Sequence, residues 1–355
     1  MARLIEPWIA RSVARRLTGD SRLAGSYLLD RLHRDLADAV PRAEKLVADA
    51  SGIASPPPVK WRIIDRAAWA DANIRSMTTL LGPLATKIEE RLDAAPMPVR
   101  VAQRTVVSAE VGALLGYVSR RVLGQYDLLI SGPPEDGDGP ARDSMLFFVG
   151  PNMVETERRF GFIPEEFALW VAVHEVTHRF QFDGVPWVRQ RFFSLMRSYL
   201  DAIDLDARGL ARRFAEGASR LARRSLAPEE RSPVYLLASP EQRAIMDQVQ
   251  ALMAVVEGHG NFVMDHVGAQ VIPSFKRMRG VFETRRRQTN LLQRAFHHAI
   301  GLELKLRQYE LGKEFCDEVV ATAGMDVLSD LWTSEDRLPT LDELRTPKKW
   351  LARVA

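Results

Sequence analysis

The stretch that decides the fold is residues 164–187, PEEFALWVAVHEVTHRFQFDGVPW. It opens with a proline and two acidic residues, which is typical of a helix start because carboxylates are favourable at the positive end of the helix dipole. The apolar face of this segment is formed by Phe167, Trp170 and Val171. Gly184 and Pro186 predict that the helix runs through Phe182 and ends before them.

Within this helix, residues 174–178 read His-Glu-Val-Thr-His. Positions four residues apart differ by about 40° around a helix axis, so both imidazoles project from one face and can bind one zinc ion through nitrogen. Glu175 lies beside the metal position, where it can accept a proton from zinc-bound water, whose pKa is lowered to about 7. The pattern predicts His174 and His178 as metal ligands and Glu175 as a catalytic base.

A short pattern of this kind also arises by chance, and two histidines at this spacing can equally be a buried pair bonded to the backbone. The metal site is favoured because the motif lies in a helical segment that follows a strand-like run. Four of the seven histidines also fall in just two segments, 174–178 and 259–266. The extended pattern H-E-x-x-H-x-x-G-x-x-H is excluded, because Gln181 and Gly184 stand where it needs glycine and histidine.

A catalytic zinc needs a third protein ligand, and the segment at 255–261, VVEGHGN, is the best remaining candidate. Glu257 and His259 lie about 200° apart on a regular helix, so one of them should face the metal. Asn261 shares the face of Glu257 and could hold a zinc-bound imidazole, which favours Glu257 as the ligand. His259 is the alternative ligand or an oxyanion donor, and Glu257 could instead be an exposed helix carboxylate. The two glycines of the segment indicate close approach of another helix or of a substrate.

Most of the remaining chain is expected to be helical, with helices at about 21–50, 65–93, 99–123, 188–224, 241–268, 273–287, 289–300 and 302–320. Two β-like runs, Tyr126–Ile130 and Met145–Val149, predict a hairpin or neighbouring strands, the second as an edge strand onto which a peptide could add. We therefore expect a mainly α fold with a small β element. A helical N-terminal region, residues 1–124, would pack on a catalytic region, residues 125–355, as one continuous unit.

Composition and charge exclude several classes. The 49 basic and 46 acidic residues give a net charge of +3, and no basic face carries a recognised motif, so we expect no nucleic-acid partner. The longest apolar stretch, Phe167–Val173, is far short of the roughly 20 residues that a bilayer needs, so we expect no stable membrane insertion. No secretory signal is visible, which makes the cytoplasm the expected location. The single cysteine, Cys316, excludes an internal disulfide and is expected in the core.

The sequence also resembles a known family. Residues 170–187, WVAVHEVTHRFQFDGVPW, resemble the actinobacterial zincin-like metallopeptidase family often labelled "coenzyme F420 biosynthesis-associated". Further blocks resemble it in the same order: VVEGHGNFVMDHVG at 255–268, GLELKLRQYELGKEF at 301–315 and LWTSEDRLPT at 331–340. The resemblance implies a mostly helical zincin-type architecture with His174 and His178 as ligands and Glu175 as base. It also implies that the segment around Glu257 and His259 completes the site.

The leading interpretation is a metallopeptidase that uses Zn²⁺ to activate water against a peptide or small amide substrate. Hydrolysis of a non-peptide amide or ester is an alternative, as is a non-catalytic zincin scaffold, although a purely structural site has no need of Glu175. In the third block, Arg307 and Tyr309 are candidate oxyanion donors. Alternatively, Tyr309 packs in the core and Arg307 pairs with Glu303 or Glu310. The sequence leaves the oligomeric state open.

Overall fold

The structure, a computed structural model, describes residues 4–19, 23, 25–58, 60–92, 96–128, 145–203, 238–287 and 302–354, and side chains throughout these ranges except at 90–92, 285–287 and 302–309. The helices in these ranges are α1 (Pro7–Thr18), α2 (Tyr27–Ser51), α3 (Arg66–Leu80), α4 (Gly82–Leu92), α5 (Met97–Ser119), α6 (Gly150–Phe160), α7 (Pro164–Asp183), α8 (Pro186–Asp201), α9 (Pro240–Val271), α10 (Phe275–Arg287), α11 (Leu302–Ala323), α12 (Met325–Ser329), α13 (Leu341–Arg345) and α14 (Pro347–Val354). Short 3-10 turns occupy Asp330–Trp332 and Glu335–Arg337. The strands are β1 (Lys60–Ile64), β2 (Gly124–Tyr126) and β3 (Met145–Val149). The predicted helix at 289–300 lies outside the described residues.

The chain divides into two compact units. The first contains Met1–Pro186 and Val263–Met278, and the second contains Trp187–Phe262 and Arg279–Ala355. The helix α7, with the His-Glu-Val-Thr-His motif, belongs to the first unit. Glu257 and His259 belong to the second. The division proposed above at residue 124 stays a prediction.

Helix α7 forms the centre of the first unit. Pro164 stands in its first turn with Glu165 and Glu166, as the sequence predicts. Fourteen of its 20 residues are buried, so the helix is enclosed on most sides rather than along one stripe. It packs along α2 and also contacts β2 and α6. The predicted helix is confirmed, and it ends at Asp183.

The sheet corrects one prediction. Its strand order is β1-β3-β2, so Met145–Val149 is the central strand and not an edge strand. It pairs in parallel with β1 and antiparallel with β2. The physical reason is that both hydrogen-bonding edges of this strand are occupied, one by Lys60–Ile64 and the other by Gly124–Tyr126, so no edge is open for a peptide. The predicted pairing of two neighbouring strands is confirmed. The first strand is Gly124–Tyr126 and shares Tyr126 with the predicted run, because Asp127 and Leu128 lie beyond the strand and residues 129 and 130 lie outside the described residues.

Several elements were not predicted: strand β1, helix α6 and the three short helices α12, α13 and α14. Strand β1, Lys-Trp-Arg-Ile-Ile, mixes charged and apolar residues over five positions, which is too short for its pattern to stand out. Helix α6 begins with Gly150 and Pro151, directly after the last residue of β3, so no loop separates the two elements in the sequence. Proline is also favourable in the first turn of a helix, because the missing N–H has no partner there.

In the second unit, α9 and α11 cross at two glycines. A Cβ atom on Gly258 would overlap the backbone of Gly312, and one on Gly312 would overlap the carbonyl oxygen of Ala254. The expectation that another helix approaches the 255–261 segment closely is therefore confirmed at Gly258. Cys316, also on α11, is fully buried as expected, and burial raises the pKa of its thiol.

Among the described residues, no helix is both long and apolar enough to span a membrane.

Candidate metal centre

The two motif histidines face each other from adjacent turns of α7. Their Nε2 atoms are 3.1 Å apart, and their ring centroids are 4.5 Å apart with the planes at 81°. Two imidazole nitrogens bound tetrahedrally to one zinc ion at about 2.05 Å would lie about 3.3 Å apart. His174 and His178 therefore fit the spacing of two ligands of one ion. The same distance suits a hydrogen bond between the rings when no ion is bound.

The ring of His178 is oriented by Gln181, which is fully buried one turn further along α7. The Nδ1 atom of His178 lies 3.0 Å from the amide oxygen of Gln181. With the amide oxygen as the acceptor, the ring proton of His178 belongs on Nδ1, and the Nε2 lone pair is then directed at His174. Sequence reasoning used Gln181 only to exclude a subclass. The three-residue spacing was the signal that could have identified it.

Glu175 contacts strand β2 through its carboxylate. The backbone N–H of Tyr126 donates to Oε2 of Glu175 at 3.1 Å, and Glu175 is only 6% exposed. Antiparallel pairing explains this contact, because Asp127 donates its N–H to β3 and the neighbouring N–H of Tyr126 points to the opposite edge. The strand edge thereby orients the candidate catalytic base.

The close approach of Glu175 to β2 requires a glycine. A Cβ atom on Gly124 would lie 2.6 Å from Cγ and 2.7 Å from Oε1 of Glu175. These separations are well inside van der Waals contact. Gly124 was not identified from the sequence, because the partner that makes it necessary lies 51 positions away in the chain.

A buried polar network surrounds the end of the motif helix. Arg179, 1% exposed, donates from Nη1 to Glu44 at 2.6 Å and lies 3.8 Å from Asp183 through Nε. The hydroxyl of Tyr126 donates to Asp183 at 2.6 Å. Burial lowers the pKa of Arg179, and Glu44 and Asp183 oppose that shift. The network ties α2 and β2 to the last turns of α7.

In the second unit, Glu257 and His259 are both buried on α9, 6% and 1% exposed. The alternative that Glu257 is an exposed carboxylate is therefore wrong. The side-chain amide of Asn261 donates to the backbone carbonyl of Glu257 at 3.0 Å. Its expected contact with a zinc-bound imidazole stays a prediction.

His259 has an indole neighbour. The Nε1–H of Trp332 donates a long hydrogen bond of 3.4 Å to Nε2 of His259, and the two rings meet edge to face at 4.8 Å. Trp187 in turn donates from Nε1 to the carbonyl oxygen of Trp332 at 3.1 Å. Trp332 was not singled out from the sequence, although it stands in the 331–340 block. The side chains of Arg307 and Tyr309 lie outside the described residues, and their roles stay predictions.

Comparison with known proteins agrees with these features. A family model described as zincin-like metallopeptidase matches residues 5–351. A crystal structure from Chloroflexus aurantiacus, described as a provisionally assigned hydrolase with a novel fold, is 32% identical, with a TM-score of 0.68 over 99% of this chain and 98% of that chain. No curated protein matches the chain. The zincin-like part of the sequence resemblance is thereby confirmed, and the label that mentions coenzyme F420 stays only a part of the resemblance.

Proposed function

We propose, on the premise that this chain belongs to the zincin-like metallopeptidase family, that it is a zinc-dependent hydrolase that cleaves peptide bonds. The mainly helical architecture with its small sheet is that of a zincin-like protein. The observation that carries the proposal is the facing pair of His174 and His178 on a buried helix. Their nitrogen spacing suits one ion, and Glu175 lies between them in the sequence.

The ligand set proposed for the ion is His174, His178 and Glu257. Glu257, which is buried on α9, would supply the carboxylate as the third ligand. Two imidazoles and one carboxylate are a known donor set for catalytic zinc. His259 is the weaker candidate, because its Nε2 lone pair already accepts the indole N–H of Trp332.

Each side chain of the proposed site has its own role in the hydrolysis. A bound zinc ion would supply Lewis acidity toward the carbonyl and lower the pKa of the attacking water. Glu175 would take the proton of that water and deliver it to the leaving amine, while the Tyr126 N–H keeps its carboxylate oriented. His259, which accepts at Nε2, would carry its proton on Nδ1 and could donate that N–H to the oxyanion. Tyr309 is a further candidate donor.

The first test concerns the metal. Elemental analysis of protein purified without chelator should find about one zinc per chain, and His174→Ala or His178→Ala should lose it. We expect Glu257→Ala to weaken zinc binding strongly and His259→Ala to retain zinc with lower turnover. His266→Ala is the control, because this exposed histidine also lies on α9. Wild-type protein that binds no zinc even after reconstitution would overturn the proposal.

The second test concerns catalysis. Glu175→Gln keeps the shape and hydrogen bonding of the side chain but cannot accept the proton. We expect a folded variant that retains zinc and cleaves at least about a hundredfold more slowly, since general-base contributions are about 10²–10⁴-fold. A peptide library read by mass spectrometry supplies the substrate, and a parallel panel of small amides and esters tests the non-peptide alternative. Equal rates in Glu175→Gln and wild type would refute the assigned role.

A further inference from the structure

Gln181 makes a contact that the proposed chemistry does not yet use. We infer that Gln181 is a positioning residue for the metal, which acts by holding His178 in the tautomer and ring orientation that bind zinc. The inference rests on the proposed function, because it concerns the same site. It adds a residue that neither the motif nor the family match identifies.

The geometry restricts what Gln181 can do. Its side chain is fully buried, and its amide oxygen lies 3.0 Å from Nδ1 of His178, within hydrogen-bonding distance. If the amide were turned, its NH₂ group would donate to Nδ1 and the ring proton would move to Nε2. The nitrogen that faces His174 could then not bind a metal without a change of tautomer. Binding through Nε2 therefore requires the amide oxygen as the acceptor.

The uncharged amide also suits its surroundings. Metal-binding histidines generally donate their second N–H to a carboxylate, a carbonyl or water, and the loss of that partner typically lowers metal affinity 10–100-fold. A buried carboxylate at position 181 would add negative charge six residues from Glu175 on the same helix, with a penalty for its own desolvation. Glutamine supplies the acceptor without the charge. A role in packing alone would need only the volume of the side chain.

Two substitutions separate positioning from packing. Gln181→Met keeps the length and volume of the side chain but removes the acceptor, and we expect the zinc dissociation constant to rise 10–100-fold. Gln181→Glu keeps an acceptor for the Nδ1 proton, although its buried charge lowers stability, and we expect the zinc dissociation constant to change much less than in Gln181→Met. Gln242→Met is the control. This buried glutamine accepts the N–H of Ser239 in the second unit, so its loss should affect stability and leave zinc affinity unchanged.

The measurements are competition with a zinc-chelating dye and the ¹⁵N spectrum of histidine-labelled, metal-free protein, with His178 assigned by substitution. We expect the Nδ1–H tautomer of His178 in wild type and in Gln181→Glu, and its loss in Gln181→Met. Unchanged zinc affinity in Gln181→Met, or an Nε2–H tautomer in wild type, would overturn the inference while leaving the proposed function intact. Absence of zinc binding by wild type would instead overturn the proposed function, and this inference with it.

Discussion

Replacing Gly124 by alanine tests whether the edge of β2 positions the catalytic base. The added Cβ would lie 2.6 Å from Cγ of Glu175. An optimal carbon–carbon separation is about 3.5 Å, so strand and side chain must separate by about 0.9 Å. The hydrogen bond from the Tyr126 N–H to Glu175, now 3.1 Å, would lengthen to about 4 Å if the carboxylate moved by that amount, and would be lost.

Two energetic terms set the expected loss in the free energy of unfolding. Overpacking a buried site lowers the free energy of unfolding by about 1–3 kcal/mol. Leaving a buried acceptor without its donor lowers it by about 1–3 kcal/mol more. Because the movement that breaks the hydrogen bond also relieves part of the steric overlap, the two losses do not add in full, and we expect a total loss of about 2–4 kcal/mol. Zinc content should not change, since the substitution does not touch His174 or His178. Turnover should fall up to about a hundredfold, because a 1 Å misplacement of a catalytic group can have that effect.

The assay combines urea unfolding, followed by circular dichroism, with zinc analysis and turnover. Gly280→Ala in α10 is the matched control, because nothing lies within 4 Å of the added atom. It should stabilise the protein by up to about 1 kcal/mol through helix propensity. If the free energy of unfolding of Gly124→Ala differs from that of wild type by less than about 0.5 kcal/mol and the two turn over equally fast, β2 does not position Glu175 through this contact.

Two further predictions concern the second unit. Gly312→Ala should lower the free energy of unfolding by about 3 kcal/mol or more, because the new methyl group would overlap the carbonyl oxygen of Ala254. Urea unfolding against the Gly280→Ala control measures this loss, and a neutral result would contradict the close crossing of α9 and α11. Burial alone would raise the pKa of Glu343, but hydrogen bonds from Arg353 and the Thr340 backbone outweigh it and lower the pKa. The unfolded value is about 4.3, so this stabilisation is complete above about pH 5 and is lost as the pH falls through the lower folded value. Glu343→Gln should therefore lower the free energy of unfolding by up to about 1 kcal/mol at pH 7 and by less near pH 3. A loss that grows toward acid pH would contradict the lowered pKa of Glu343.

The sequence by itself determined the features that depend on local spacing. Pro164 and the acids after it start α7, and the four-residue interval brings His174 and His178 to one face, because helical geometry relates positions within a turn or two. The glycines near Glu257 also indicated a close helix approach, since glycine is unfavourable inside a helix unless space requires it. The partner in that approach was not identifiable, because Gly312 lies 54 positions beyond Gly258.

The tertiary structure alone decided which distant residues meet. It made Met145–Val149 the central strand by adding Lys60–Ile64 on its far side, and a short strand of mixed polarity gives no pattern that reveals such pairing. It also placed Gly124 and the Tyr126 N–H against Glu175. Sequence periodicity describes which face of an element is apolar, whereas contacts between elements depend on how those faces pack. The orientation of the candidate base is therefore a property of the folded chain and not of the five-residue motif.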